Sequence, residues 1–448
     1  MRSATTSNPR PCGRHRLLVG LVCGALTSAA LAQAEVGAPD SVSVESGAPG
    51  TAVLTDGAIG SESASDVDTV AANEEFVAST VAQLGRKSLQ AAEAYVGLAD
   101  AHRNARQYEA AAENYLAAVE IYRAIDGPFT ALAIAPLTNL GDNYHEANDD
   151  VNAVAAYSEA RTVSRRAYGL HNEEQIVLLD RLSRSLLDLN QLAEAEEQQV
   201  EALRLIQRSN PPGSDAVLES IYKYAEWLGE RLMFQLERDQ YARALRTIRS
   251  THGERDLRQV RALLGIGNTY RQERNPAGMG ISALQDALAL LLEQPERDAV
   301  AIAAALRDIG DWAVAFGKTG YEGFEYQRAW QLLGTASAGE RLRREWFYGA
   351  NYVLYEPISP RGLSNDPDAA SGHVTVSFDV DKAGNSSNVT LVSSDPVGLK
   401  DEAVLRHIRR SRFRPLLENG EIVVGRGLAI QVRFRYLVDS TTDDEDED

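Results

Sequence analysis

Cysteine is almost missing from this chain of 448 residues: there are two, Cys12 and Cys23, and both lie within the first 32 positions. From residue 33 onward, disulfides, thiolate metal ligands and thiol nucleophiles are therefore excluded together. Basic residues are also short, with 45 Lys and Arg against 64 Asp and Glu, and residues 33–85 hold none. A surface of that sign repels nucleic acid and anionic lipid, so neither is an expected partner. The early acidic stretch lacks the repeated proline that would make it a stiff rod. One apolar run near the N-terminus, 16 residues long, falls short of the roughly 20 that a membrane span needs, and no other stretch approaches that length.

An assembled reactive group is missing too. Gly317-Lys318-Thr319 could close a phosphate loop, but Trp312 stands where the loop needs glycine. Asp379-x-Asp381 with Gly384 imitates the start of a calcium loop, yet its twelfth position is Thr390 rather than Glu. His145-Glu146 has no second histidine four residues from the first, and the seven histidines are scattered. No nucleophile, base and orienter can be put together. The expectation is a protein that is not an enzyme, with no cofactor, no metal and no small-molecule substrate.

What is present begins with a signal. Arg2, Arg10, Arg14 and Arg16 precede the apolar run Leu17–Ala32, which ends in Ala30-Leu31-Ala32. A basic start, a short apolar stretch and small residues before a cut describe a secretory signal peptide over 1–32. Cleavage after Ala32 leaves 41 basic residues against 64 acidic, a formal charge of −23. The alternative is an uncleaved anchor in the inner membrane. Residues 33–74 read as a disordered acidic linker, and the last ten, DSTTDDEDED (439–448), as an acidic disordered tail.

Between them lies a repeat. Small residues fall at Ala99, Gly141, Ser183, Ala225, Gly267 and Gly310, at steps of 42, 42, 42, 42 and 43. LADAH (98–102) is followed by Ala111, Tyr115 and Ala118, and LGDNY (140–144) by Ala153, Tyr157 and Ala160. Alanine, ring and alanine at spacings of four and three paint one face of a helix. The small residue marks where a partner helix approaches closely. Such a hairpin cannot bury its own stripe and must stack on a neighbour.

This pattern resembles the tetratricopeptide repeat over 75–338, in a longer variant of about six repeats. Tyr115, Tyr157, Tyr241 and Tyr326 are expected to serve packing. Unit four has Glu237 where alanine is expected, and unit five shows an insertion around Asn275-Pro276-Ala277-Gly278. In such solenoids function resides in polar residues on the concave face. The residues just after each small position are therefore the groove candidates: Asp100, Asp142, Arg184, Glu226, Asn268 and Asp311. Four acids among six would favour a basic or amide-rich peptide.

The period then changes. In GHVTVSFDVDKAGNSSNVTLVSSDP (372–396), Val374, Val376, Phe378 and Val380 alternate with polar residues, and Gly384 supplies the turn. LKDEAVLRHIRRSRF (399–413) reads as a helix with Val404, Leu405, Ile408 and Ser411 on one face. Ile430, Val432, Phe434 and Tyr436 then alternate in a last strand. The order strand, strand, helix, strand resembles the C-terminal domain of the TonB family over 350–438. The G-x-V-x-V-x-F-x-V strand from Gly372, the Asp381-x-x-Gly384 turn, the Asn388–Pro396 return and the R-F-x-P of Arg412, Phe413 and Pro415 carry the likeness.

The fold expected is thus multidomain: an all-α solenoid followed by a small α+β domain. The resemblance implies a periplasmic domain that binds a segment of an outer-membrane receptor by strand addition, at an edge placed along Ile430–Tyr436. Ser411 replaces a common tryptophan, the proline-rich rod is missing, and the anchor reads as a signal peptide. The expected function is a periplasmic scaffold for protein or peptide partners. The alternatives are a TonB-type energy transducer for transport through outer-membrane receptors, and a cell-wall binder using Arg406, Arg409 and Arg410 on peptidoglycan.

Overall fold

The computed structural model describes residues 64–317, 323–356, 358 and 370–436. The expected signal peptide, most of the linker and the acidic tail lie outside those residues, as do Lys318 and Thr319. Two compact units account for the described chain. One holds the helices up to Tyr348 together with Leu417–Ile422, and the other holds Gly349–Leu416 and the residues from Val423 onward.

The helical unit is a run of antiparallel hairpins. The first helix, α1 (Ala64–Leu84), precedes α2/α3 (Leu89–Asn104, Tyr108–Asp126), α4/α5 (Ile134–Glu146, Asp150–Tyr168) and α6/α7 (Gln175–Asp188, Leu192–Ser209). Then come α8/α9 (Asp215–Glu230, Phe234–His252), α10/α11 (Gln259–Gln272, Gly278–Leu292) and α12/α13 (Ala299–Phe316, Phe324–Leu333), with α14 (Gly339–Phe347) after them. Among the described residues these pairs make six hairpins, in keeping with the 42-residue step. Helix α1 starts within the stretch expected to be linker. Its Val70 and Val77 are buried against Leu98 and Ala101 of α2, so the first hairpin has a neighbour on that side.

The repeat is legible atom by atom. All six small positions are buried, and a Cβ on Gly141 or Gly310 would run into the ring of Tyr157 or Tyr326. Each of the first five hairpins turns through a left-handed residue: Arg106, Asn148, Asn190, Leu232 and Arg274, all at φ 58–60° and 42 apart. The next amide reaches back to a carbonyl five residues earlier, as from Asp149 to Tyr144 and from Met233 to Leu228. That closure satisfies the carbonyls which a helix end leaves open.

In the second unit, β2 (Ala370–Val380), β3 (Ser386–Asp395) and β7 (Gly425–Tyr436) form an antiparallel sheet in the order β3-β2-β7. One face carries Val374, Val376, Phe378 and Val380, which pack on Val404, Leu405 and Ile408 of α15 (Asp401–Arg410) and on Phe413. The helix is shorter than expected. It ends at Arg410, and Arg412-Phe413 (β4) leaves it to pair with β1 (Tyr352–Leu354). Ser411 is therefore a cap, not a helical face. Its hydroxyl donates to the His407 carbonyl and accepts the Glu356 amide. A small hairpin of β5 (Leu416–Glu418) and β6 (Glu421–Val423) comes before β7.

Candidate protein-interaction site

The six groove candidates share one face of the first helix of each hairpin, but most are already engaged. Tyr157 donates its hydroxyl to Asp142 Oδ1 at 2.7 Å, and Tyr326 does the same to Asp311 at 2.8 Å. Tyr115 makes the equivalent bond to Asp100. The tyrosine on the second helix thus ties back to the residue after the small position on the first, always 15 residues away. These rings are buried and bonded, not packing elements alone. Burial and the neighbouring carboxylate push the Tyr115 and Tyr157 phenols well above their ordinary range.

The same acids also reach the next repeat. Arg181 Nε donates to Asp142 Oδ1 at 2.6 Å, and Arg261 Nη2 donates to Glu226 Oε1 at 2.9 Å. Asn268 donates to Asp308 at 2.9 Å. Asp311 is buried, which contradicts its expected place in a solvated groove. A carboxylate there has left water for a tyrosine hydroxyl, and Arg271 stands 4.0 Å away. Of the six, Arg184 and Glu226 are exposed, and Glu226 is held by Arg261. Sequence reasoning missed Arg181, Lys223 and the Asp180 that Lys223 contacts. Their signal was available, since Asn139, Arg181 and Lys223 also stand 42 apart.

Glu237 is an exception inside the array. It occupies the buried position held by Ala111, Ala153 and Ala195 in the earlier repeats. Room comes from Gly229, where a Cβ would sit 2.8 Å from the Glu237 carboxyl. Burial pushes this acid up to about 7, against the pull of Thr269, Tyr241 and Arg238.

In the second unit, β7 stands at one edge of the sheet and β3 at the other. Ile430, Val432 and Phe434 turn toward the core and are half-buried there, while Gln431, Arg433 and Arg435 on the other face are exposed. Tyr436 lies beside Phe434, with ring centres 6.2 Å apart. The predicted edge residues therefore anchor the strand through their side chains. Arg406, Arg409 and Arg410 are exposed on α15, with Arg410 3.7 Å from Glu356. Near them His407 is buried, its Nε2 2.7 Å from the Tyr352 hydroxyl and its Nδ1 against the Glu356 carbonyl. Burial lowers its pKa, which fits a neutral ring that donates to the carbonyl and accepts from the phenol. No helix of the described residues is long and apolar enough to cross a membrane.

Comparison with known families agrees with this anatomy. The family described as Gram-negative bacterial TonB protein C-terminal matches residues 368–436, and the tetratricopeptide repeat family matches 90–159. The chain thus has a tetratricopeptide array followed by a TonB C-terminal domain, both of them protein-interaction modules. No curated protein matches the chain. Among solved structures it is similar to the TPR-like repeats of a putative kinesin light chain from Podosopora anserina. Identity there is 13%, over 47% of this chain and 99% of that one, with a TM-score of 0.35. It is also similar to the C-terminal part of a TPR repeat-containing protein from Cytophaga hutchinsonii. That match has 10% identity over 62% and 97% of the two chains, and a TM-score of 0.36.

Proposed function

We propose that the protein is an exported, periplasmic scaffold whose helical array holds one protein partner while its TonB-type domain docks on a second by strand addition. The observation that supports it is the place of β7. This strand is 12 residues long, keeps one side in the ladder with β2, and forms the sheet edge with its apolar side chains fixed in the core. A guest strand adds main-chain hydrogen bonds along such an edge without rearranging the domain. On the array, the internal bonding of Asp100, Asp142, Glu226 and Asp311 shifts recognition to exposed residues such as Arg184. The arginines of α15 support a second reading, contact with the anionic wall, which salt-sensitive sedimentation with isolated peptidoglycan would detect.

Proline scanning tests the edge. Successive residues in a strand point their amides to opposite sides, so of Gln431→Pro and Val432→Pro one deletes an outward donor and the other a donor to β2. Binding to a peptide from the periplasm-facing end of an outer-membrane receptor should vanish in the outward variant, with the sheet signal in circular dichroism unchanged. Full binding by a folded outward variant would move the site away from β7. Export is tested separately by intact mass. A soluble periplasmic species beginning at Gln33 fits a scaffold, whereas a membrane species retaining Leu17–Ala32 returns the energy transducer.

A further inference from the structure

The junction between the second and third hairpins differs from the one before it by a rearranged charge. At the first junction Arg103 grips Glu146 with two bonds, Nε to Oε2 and Nη2 to Oε1, both 3.0 Å. One repeat later, 42 residues on, the carboxylate is kept as Asp188 but the guanidinium has become His145. The position of Tyr108 has become Asp150, which adds a second carboxylate. A permanent positive charge is gone and a negative one has arrived.

We propose that His145, Asp150 and Asp188 form a divalent-cation site that joins the ends of α4 and α6 to the start of α5. His145 Nδ1 lies 2.7 Å from Asp150 Oδ1 and 3.8 Å from Asp188 Oδ2, and the three ligand atoms all fall within 4.8 Å of one another. Ser185, fully buried, aims its hydroxyl into the group; the long 3.4 Å approach to His145 Nδ1 is its one hydrogen bond among the described residues. A buried hydroxyl so poorly satisfied is a ready further ligand or a support for bound water.

One imidazole and two carboxylates suit zinc or a similar borderline ion. Bonds of about 2.0–2.2 Å in a tetrahedral set place ligand atoms roughly 3.3 Å apart. The 2.7 Å contact must therefore open slightly and the 3.8 Å one close, both within reach of side-chain rotation. Asp188 is half-exposed, which gives the ion an entry path and leaves room for water. The absence of a second histidine four residues from His145 hides such a site from motif reading, because its ligands come from three helices.

The test uses the full chain with ZnCl2, calorimetry and thermal melting, and with CoCl2 as a spectroscopic stand-in. The expected result is one ion per chain, a higher melting temperature, and visible cobalt bands of the kind that inner-sphere nitrogen and oxygen ligands give. Asp188→Asn should weaken binding at least tenfold, while His171→Ala, a histidine outside the group, should leave it unchanged. His145→Arg restores the residue type of the first junction, and should fold, lose the ion and melt independently of zinc. Absence of one-to-one binding, or equal zinc response in wild type, Asp188→Asn and His145→Arg, would overturn the proposal.

Discussion

Replacing Glu237 with glutamine keeps the shape of a buried side chain and removes its ability to ionise. The folded protein holds this carboxyl at about 7, against a usual value of 4.5, because burial penalises the charged form. Below pH 4.5 the acid is protonated in both folded and unfolded chains and costs nothing. Between 4.5 and 7 the unfolded chain ionises first, so stability falls as pH rises, and above 7 the penalty is complete. A shift of that size corresponds to roughly 3 kcal/mol. Glu237→Gln should therefore match wild type near pH 4.5 and exceed it at pH 8.5. For a unit of this length the gain is on the order of 5–10 °C in melting temperature. Thermal melts of both proteins across that range, compared as differences, remove the titration of every other group. An equal gain at both pH values, or none at 8.5, would refute the argument that Glu237 is a desolvated acid. Hydrogen exchange should place the effect in α8–α10, since each hairpin contacts only its neighbours.

Three further outcomes are expected. Tyr157→Phe and Asp142→Asn should each lower stability, with a coupling between them of about 1.5–3 kcal/mol as measured by a double-mutant cycle, because the bond has a charged acceptor. Leu232→Gly should raise stability by roughly 0.5–1 kcal/mol in denaturant melts, since Leu232 is exposed and held at φ +58°, where a side chain is strained. Lowering the pH through the ordinary histidine range should loosen α15 and β4. The folded state holds His407 neutral while the unfolded chain takes up the proton, so exchange protection over 401–413 should fall as the medium is acidified, and His407→Gln should flatten that response.

The helical architecture follows from the repeat in the residues. A step of 42 residues can be kept only by a structure whose units are alike, so hairpin number and the close approaches at Gly141 and Gly310 were legible without coordinates. The alternation of 372–380 and 430–436 likewise set which side chains face the core, because the strand period is two whatever lies next to it. What the polar residues do follows only from the stacked fold. Asp100, Asp142 and Asp311 looked like groove residues, since polarity at a fixed spacing shows which face a residue occupies but not whether a hydroxyl from the next helix already bonds it. The end of α15 escaped for a related reason: helical period continues through Arg412-Phe413, and only pairing with β1 pulls those two residues out of the helix. Glu237 with Gly229, and His145 with Asp150 and Asp188, belong to the same class. Each joins residues from different helices, and the distances that give them their chemistry exist only once the hairpins have stacked.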